Sequence, residues 1–344
     1  MSNSKVSIII PHHNNFDILN ECINSLTKIK YKDIEVIIVD NHSSDQSVDR
    51  IKSNHSFVKI RKSNNNLGYA GGCNFGASFA KGSYLLFLNN DTIHEPDFLD
   101  HLINKIISSN NIACVQPKIK NHDNKEYFDY AGASGGFIDY LVFPFTRGRI
   151  FNTIEKDKGQ YNDAIKVFWT SGTVFITKKE IFDKIGGFDK SLFAHMEEID
   201  YCWKCYMLGF ECWVEPKSIV YHHGGKTLSY KSPKKTYFNH RNSIILLLSN
   251  YSIALSLYLF PLRLLLEIIS SLNDLLKLKI GHFIAHYFSI LSIILNIPTI
   301  YKRRKIINKF RIKDDKFIFN QKIILNESIV KKYFLFRNKI YNNY

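Results

Sequence analysis

Cysteine is sparse in this chain. Six thiols (Cys22, Cys73, Cys114, Cys202, Cys205 and Cys212) are scattered over 344 residues, too few for a disulfide scaffold, so a reducing compartment is the simpler setting. Cys202 and Cys205 make one CxxC pair with Cys212 and His222 downstream, but no second CxxC follows. A zinc site is therefore not expected, and the neighbouring Trp203 and Tyr206 place these cysteines on a helix of the core. There is no internal repeat, no dinucleotide fingerprint and no Walker loop. The apolar run Val6 to Ile10 is too short for a signal-peptide core and ends in Pro11, so no export signal is expected. Acidic residues are scarce at the other end: from Tyr301 onward 13 Lys and Arg face 3 Asp and Glu, a net of +10 out of +15 for the whole chain. A basic tail suits nucleic acid or an anionic membrane surface. Aromatic residues are interspersed in it (Phe317, Phe319, Tyr333, Phe334, Phe336), but no RNA-recognition motif accompanies them, so no nucleic-acid partner is expected.

What is abundant is apolar: 45% of residues are hydrophobic and 14% aromatic, which excludes disorder for the chain as a whole. Short β-branched runs alternate with helical patterns over the first ~120 residues. Val6–Ile10, Ile34–Asp40, Phe57–Ile60 and Ser83–Leu88 read as strands. Residues 15–29, the segment after Asp45, and Ala70–Ala80 read as helices between them. This alternation predicts an α/β fold with a mostly parallel sheet flanked by helices, whose ligands bind beyond the carboxyl ends of the strands. A second block over about 165–220 mixes strands with a helix near Met196–Leu208.

Polar clusters stand at those strand ends. Leu86-Phe-Leu-Asn-Asn-Asp91-Thr92 closes an apolar strand with a carboxylate, well placed for Mg2+ or Mn2+, which favour oxygen ligands and bridge to diphosphates. The same residues would also serve as a turn before a helix near Glu95-Pro96. Asp40 ends its strand where it could accept from a base N–H or a ribose hydroxyl, and Asp45 could cap the next helix. Asn64 to Gly76 is glycine-rich, permitting close backbone approach to a ligand or a packed helix start. Glu197, Glu198 and Asp200 precede an apolar helical run. Adjacent acids can raise one pKa into the range of a general base, and they can equally complement a helix dipole. His222 and His223 follow a strand, where a histidine can ligate a metal or simply be structural.

Taken in order, these clusters resemble the family 2 glycosyltransferases, particularly the non-processive rhamnosyltransferase-like branch. The likeness runs from Val6 to Asn242. It is carried by Val-Ser-Ile-Ile-Ile-Pro at 6–11, Val-Asp-Asn-x-Ser-x-Asp at 39–45 and Asn-x-Gly-x-x-Gly-Gly-x-Asn-x-Gly at 66–76. Leu-Asn-Asn-Asp-Thr at 88–92, Gly-Gly-Phe-Asp at 186–189, Glu-Glu-Ile-Asp-Tyr-Cys-Trp-Lys at 197–204, His-His-Gly-Gly at 222–225 and Arg241-Asn242 complete it. The resemblance implies a GT-A fold and an inverting transfer from a UDP- or dTDP-sugar to a glycan or polyprenyl-linked acceptor, in cell-surface polysaccharide synthesis. By position it implies that Asp40 binds the base, in a pocket with Pro11, His12 and Asn14. Asn66, Gly68, Gly72, Asn74, Asn90 and Lys204 would complete the nucleotide-sugar site. Asp91 and His222 would hold the metal, and Glu198, or its neighbour Glu197, would be the base.

The first acid of the usual DxD pair is Asn89 here, Glu198 stands where Asp is usual, and Lys204 replaces an Arg, losing bidentate phosphate geometry. A Gln-x-x-Arg-Trp motif is missing after His222, which argues against a processive synthase. A nucleotide-sugar hydrolase and a non-catalytic sugar-nucleotide-binding scaffold are the competing readings.

The expected division is a catalytic domain over 1–235, with nucleotide-sugar-binding (1–120) and acceptor (121–235) halves, and a helical, apolar and basic region over 236–344. Ser243–Leu262 is uncharged and has the length of a spanning helix. Leu264–Leu278 reads as amphipathic and Phe283–Ile300 as a further apolar stretch, followed by Lys302-Arg-Arg-Lys305. The expectation is docking on the cytoplasmic face of the plasma membrane, on anionic lipid.

Overall fold

A computed structural model describes residues 4–224 and 232–341. Gly225, which closes the His-His-Gly-Gly segment, lies outside the described residues. The alternation read from the sequence is present as β1 (Val6–His12), α1 (Phe16–Leu26), β2 (Ile34–Asp40), α2 (Ser47–Asn54), β3 (Val58–Lys62), α3 (Gly68–Ala77) and β4 (Tyr84–Leu88). There follow β5 (Thr92–His94), α4 (Phe98–Ile107), β6 (Ile112–Asn121), β7 (Gly136–Asp139), β8 (Pro144–Thr146), β9 (Arg149–Ile150) and β10 (Thr153–Ile154). The second block gives β11 (Ile165–Val167), β12 (Val174–Lys178), α5 (Lys179–Ile185), α6 (Glu197–Met207) and β13 (Glu211–His222). The last third gives α7 (Pro233–Asn250), α8 (Ile253–Leu276), α9 (Ile280–Leu295), α10 (Ile297–Phe310), α11 (Asp315–Asn320), β14 (Ile324–Leu325) and α12 (Ile329–Phe334).

The main sheet has the order β11-β13-β6-β12-β4-β1-β2-β3, with β5 on β13. Strands β3, β2, β1 and β4 are parallel; the near-continuous apolar runs of β2, β1 and β4 are buried on both faces, while β3, at the edge, is mostly uncovered. The sheet is mostly parallel, as expected, with three reversed strands: β12 runs antiparallel to both β4 and β6, and β5 and β11 run antiparallel to β13. The reversal of β12 brings the segment before it to the same edge as the end of β4, with Asn89 N donating to Thr173 O. A second sheet, β10-β9-β8-β7-β14, covers one end.

Strand β14 belongs to the C-terminal region, yet it pairs with β7 through Ile324–Ile138 and Leu325–Asp139. The boundary drawn at 235/236 is therefore crossed by packing. Arg303 crosses it too: its guanidinium reaches Asp200 Oδ1 at 2.8 Å, the carboxylate of Asp189 and Ser249 Oγ at 3.2 Å. Arg304 donates to the carbonyls of Leu248 and Tyr251. Half of the Lys302–Lys305 cluster expected to face lipid is thus spent inside the protein.

The uncharged stretch Ser243–Leu262 is not one helix. It is broken between α7 and α8 at Tyr251–Ser252, where the Ser252 hydroxyl caps α8 by accepting from Leu255 N. Phe283–Ile300 is likewise divided between α9 and α10, bent by 67°. Helix α8 is the one described helix long and apolar enough to cross a membrane. Its polarity is reversed relative to a soluble helix: the buried positions are Ser256, Leu259, Arg263, Glu267 and Ser271, whereas Leu257, Tyr258, Leu265, Ile269, Leu272 and Leu276 are exposed.

Candidate active site

Beyond the carboxyl ends of β1 and β4, a cavity of about 480 Å³ collects most of the polar clusters. Of the residues singled out from the sequence, Pro11, His12, Asn66, Gly68, Asn90, Asp91, Glu197, Glu198 and His222 line it. Asn14, Asp40, Gly72, Asn74 and Lys204 are not among the lining residues. They support it instead. Asp40 accepts from Ser43 N at 2.9 Å, closing the loop after β2, while its neighbour Asn41 turns into the cavity. Asn14 Oδ1 accepts from Ser44 N at 2.8 Å. A Cβ at Gly72 would stand in ordinary contact, 3.4 Å from Pro11 Cβ; the close approach of α3 to β1 rests on Gly76, where a Cβ would come 2.5 Å from Ile9 Cγ2. Asn74 accepts from Phe188 N at 2.9 Å and donates to Phe188 O at 2.8 Å. Lys204 is buried in a 2.6 Å ion pair with Asp200, inside the fold.

Strand β4 ends at the cavity, and Asn90 Nδ2 donates to His12 Nδ1 at 2.8 Å. His12 Nε2 then meets Ser47 Oγ at 2.8 Å, and Ser47 donates to the Asp45 carboxylate. Burial holds the His12 ring at a pKa of about 4, against the pull of Asp45 and Asp40. Neutral imidazole suits this relay, accepting from Asn90 at one nitrogen and donating to Ser47 from the other.

Asp91 and His222 meet because β5 pairs antiparallel with the end of β13. His222 Nε2 is 3.1 Å from Asp91 Oδ1, and His222 Nδ1 is 2.9 Å from Asp129 Oδ1. Burial opposes a charge on the ring, but the two carboxylates push it up to about 10. Asp91 Oδ1 is buried, and its one side-chain partner among the described residues is this ion pair with His222. An oxygen and an imidazole nitrogen converging on one point, with the far side of the imidazole held by a carboxylate, fit a divalent cation with a supporting outer residue. Asp129 carried no motif and was not legible in the sequence.

The opposite wall is the start of α6. Glu197 and Glu198 both line the cavity, each with one carboxylate oxygen (Oε2) buried and unpaired among the described residues. Burial pushes the Glu198 carboxyl up to about 7. Burial and the adjacent Glu198 charge hold Glu197 well above the usual carboxylate range. The loop leading into α6 is strained: Phe193, His195 and Met196 have φ of 60°, 68° and 73°, a region that costs non-glycine residues ~1–3 kcal/mol each. Two devices hold it. Asn242 Nδ2 lies 2.8–2.9 Å from the carbonyl oxygens of Leu192, Ala194 and His195. Gly68 packs beneath it, and a Cβ there would come 2.5 Å from Phe193 O. The glycine read as permitting close approach to a ligand or to a packed helix start is used here for a neighbouring loop. The remaining wall is formed by Tyr130, Arg149, Trp169 and, from α7, Lys234, Lys235 and Asn239, none of which a sequence pattern marked.

All six cysteines are buried. Cys202 and Cys205 lie in the core, the latter close to Cys114 and Cys212, whose sulfurs are 3.7 Å apart.

The family profile "Glycosyl transferase family 2" matches residues 7–186. The glycosyltransferase GlyG of Streptococcus pneumoniae is 26% identical over 186 residues, covering 52% of this chain and 58% of GlyG. A poly(ribitol-phosphate) beta-glucosyltransferase of Bacillus spizizenii is 36% identical over 93 residues, 25% of this chain and 15% of its own length. The chain thus spans under two thirds of the length of these curated relatives. Among solved structures, a mannosyltransferase from Pyrobaculum calidifontis in complex with GDP-Man and Mn2+ superposes with a TM-score of 0.54 at 13% identity, over 89% of this chain and 85% of the other. The fold is GT-A, and the chain belongs to glycosyl transferase family 2.

Proposed function

We propose that the protein is an inverting, metal-requiring transferase of the rhamnosyltransferase-like branch. It moves a sugar from a UDP- or dTDP-sugar to a glycan or polyprenyl-linked acceptor in cell-surface polysaccharide synthesis. One observation carries the reading: one cavity is lined by the ion pair of Asp91 and His222, where a divalent cation would take the place of the ring's proton, and by Glu198, whose carboxyl is pushed up to about 7. The curated relative acting on poly(ribitol phosphate) supports an assignment to polysaccharide assembly.

Mn2+ or Mg2+ held by Asp91 and His222 would neutralise charge on the departing nucleoside diphosphate. The protein's own residues do the rest. Asn90, fixed by His12, and Asn66, fixed through Asn41, line the donor side. On the other side Glu198 takes the proton from the acceptor hydroxyl. Its oxygen bonds to the anomeric carbon as the bond from that carbon to the phosphate oxygen breaks on the opposite face. The strained loop sets where Glu198 stands.

The test is a donor panel on the full chain with Mn2+, Mg2+ or EDTA. Metal-dependent nucleoside diphosphate release from one UDP- or dTDP-sugar is expected, and release indifferent to EDTA would overturn the reading. Asp129→Asn should weaken the metal requirement's apparent affinity by ~10–100-fold, since it only orients His222.

The reversed polarity of α8 supports docking on the cytoplasmic face of the plasma membrane. Leu265 and Leu272 stand outside while Arg263 and Glu267 pair inside at 2.7 Å. The full chain should co-sediment with vesicles, and Leu265→Glu with Leu272→Glu should lower that partition by roughly tenfold or more. Equal partition of the double variant would remove α8 from the interface.

A further inference from the structure

Lys234 lines two cavities at once. One is the catalytic cavity; the other is a groove of about 550 Å³ between the start of α7 and the length of α9. The groove is apolar, walled by Pro233, Tyr237, Ile284, Phe288 and Leu291, with Lys234 at its mouth. Gly281 lets the two helices close on its floor, because a Cβ there would come 2.8 Å from Pro233 Cγ. Its lining residues Ile284, Phe288 and Leu291 are exposed on α9, the helix that packs against α8 with its own exposed leucines. The groove therefore opens sideways onto the surface proposed to meet lipid.

Where the groove reaches the catalytic cavity, the chemistry changes sign. The Arg149 guanidinium lies 4.6 Å over the ring of Tyr130, and Lys235 Nζ lies 5.0 Å from the same ring. Arg149 is 7% exposed, and its Nε is buried without a hydrogen-bond partner among the described residues. Lys234 and Lys235 stand in the first turn of α7, the positive end of its dipole. Arg149 lines the cavity and is paired with no carboxylate among the described residues, so its charge calls for an anionic acceptor there. This wall comes from β9 and α7, apart from the β1 and β4 ends that carry Asn90 and Asp91.

We propose that this groove and cationic wall seat an acceptor built on a lipid phosphate: the apolar chain lies between α7 and α9, and its phosphate meets Arg149 with Lys234 and Lys235. The attached acceptor hydroxyl then points toward Glu198. The inference rests on the transferase reading above and narrows its acceptor from any glycan to a lipid-linked one.

The experiment uses the full chain and a C20 isoprenyl phosphate in neutral phosphatidylcholine nanodiscs, with the isoprenyl alcohol and inorganic phosphate as comparisons. Wild type should retain the isoprenyl phosphate roughly tenfold better than the alcohol and should not retain inorganic phosphate. Ile284→Asn with Phe288→Asn should weaken retention of the isoprenyl phosphate by about tenfold, and Arg149→Gln should erase the preference for phosphate over alcohol. A photoreactive isoprenyl phosphate should label peptides within 233–237 and 281–295. Equal retention of phosphate and alcohol, or labelling confined to other segments, would overturn the proposal. So would a groove variant that loses nanodiscs without probe as steeply as those with it, which would make the groove a general lipid-contacting face. Donor-only nucleoside diphosphate release by wild type reports on the transferase reading separately, so failure of that reading is distinguishable from failure of the acceptor seat.

Discussion

Glu198→Gln should lower turnover by ~10²–10⁴-fold, the usual contribution of a positioned general base, while donor binding stays within about threefold of wild type. Glutamine keeps the volume and an acceptor oxygen but cannot take a proton. The group is suited to its task because burial has already raised its carboxyl to about 7. At lower pH it is protonated and idle, so turnover should fall as pH drops through about 7 and level off above it. Glu197→Gln is the necessary partner measurement. Glu197 is held further above the carboxylate range by burial and by Glu198 itself, so it remains protonated where Glu198 ionises. Its amide variant should therefore lose much less, and should leave the Glu198 titration close to its wild-type position, since a protonated Glu197 carries no charge to repel it. A larger loss in Glu197→Gln than in Glu198→Gln would exchange the two roles.

Arg303→Leu should destabilise the fold by ~3–5 kcal/mol, the cost of breaking a buried ion pair from one side. Denaturant midpoints of the full chain would measure it. Asp200 is fully buried and accepts from Arg303 and from Asn250, at 2.8 and 2.9 Å, besides pairing with Lys204. Burial alone would raise its carboxyl, but Arg303 and Lys204 bring it down to about 2. Because the folded value lies below the unfolded one, this stabilisation is complete above pH ~4 and is lost as pH falls toward 2. Arg303→Leu should flatten that acid limb, whereas a variant within ~1 kcal/mol of wild type would show that Lys204 and Asn250 suffice. The effect reaches the active site, since Asp200 sits one turn into the helix that begins with Glu197 and Glu198.

The α/β alternation was legible because the buried parallel strands carry apolar runs such as Val36–Val39, followed by polar residues that do not continue them. Asp91, His222 and Glu198 drew notice as polar residues closing an apolar strand or opening an apolar helix, and the order of the motifs, by resemblance, gave them their expected roles. Asp129 and Arg149 were not. They sit in the segment from β6 to β11, where short strands of two to four residues give no periodicity to read. Arg303 was misread for a different reason: a basic run after apolar segments looks solvated, and its partners Asp189 and Asp200 are over a hundred residues away. The lysine at 204 shows the same limit. Motif position placed it at the donor, whereas its helix turns it inward to Asp200. The break at Tyr251–Ser252 was hidden because both sides of it are equally apolar.

Helix α7 carries Asn242, which clamps the loop before Glu197, and the wall of the apolar groove lies a few residues earlier on the same helix. Such an arrangement has a consequence for how the protein can be divided. An anchor that is merely appended can be cut away, swapped or lost without touching the chemistry. Here the segment that would meet lipid also supplies the clamp, the counter-charge for Asp200 and a strand of the smaller sheet. A chain ended at 235 would lose all three, so cutting there would take structural support from the active site as well as the lipid-facing segment.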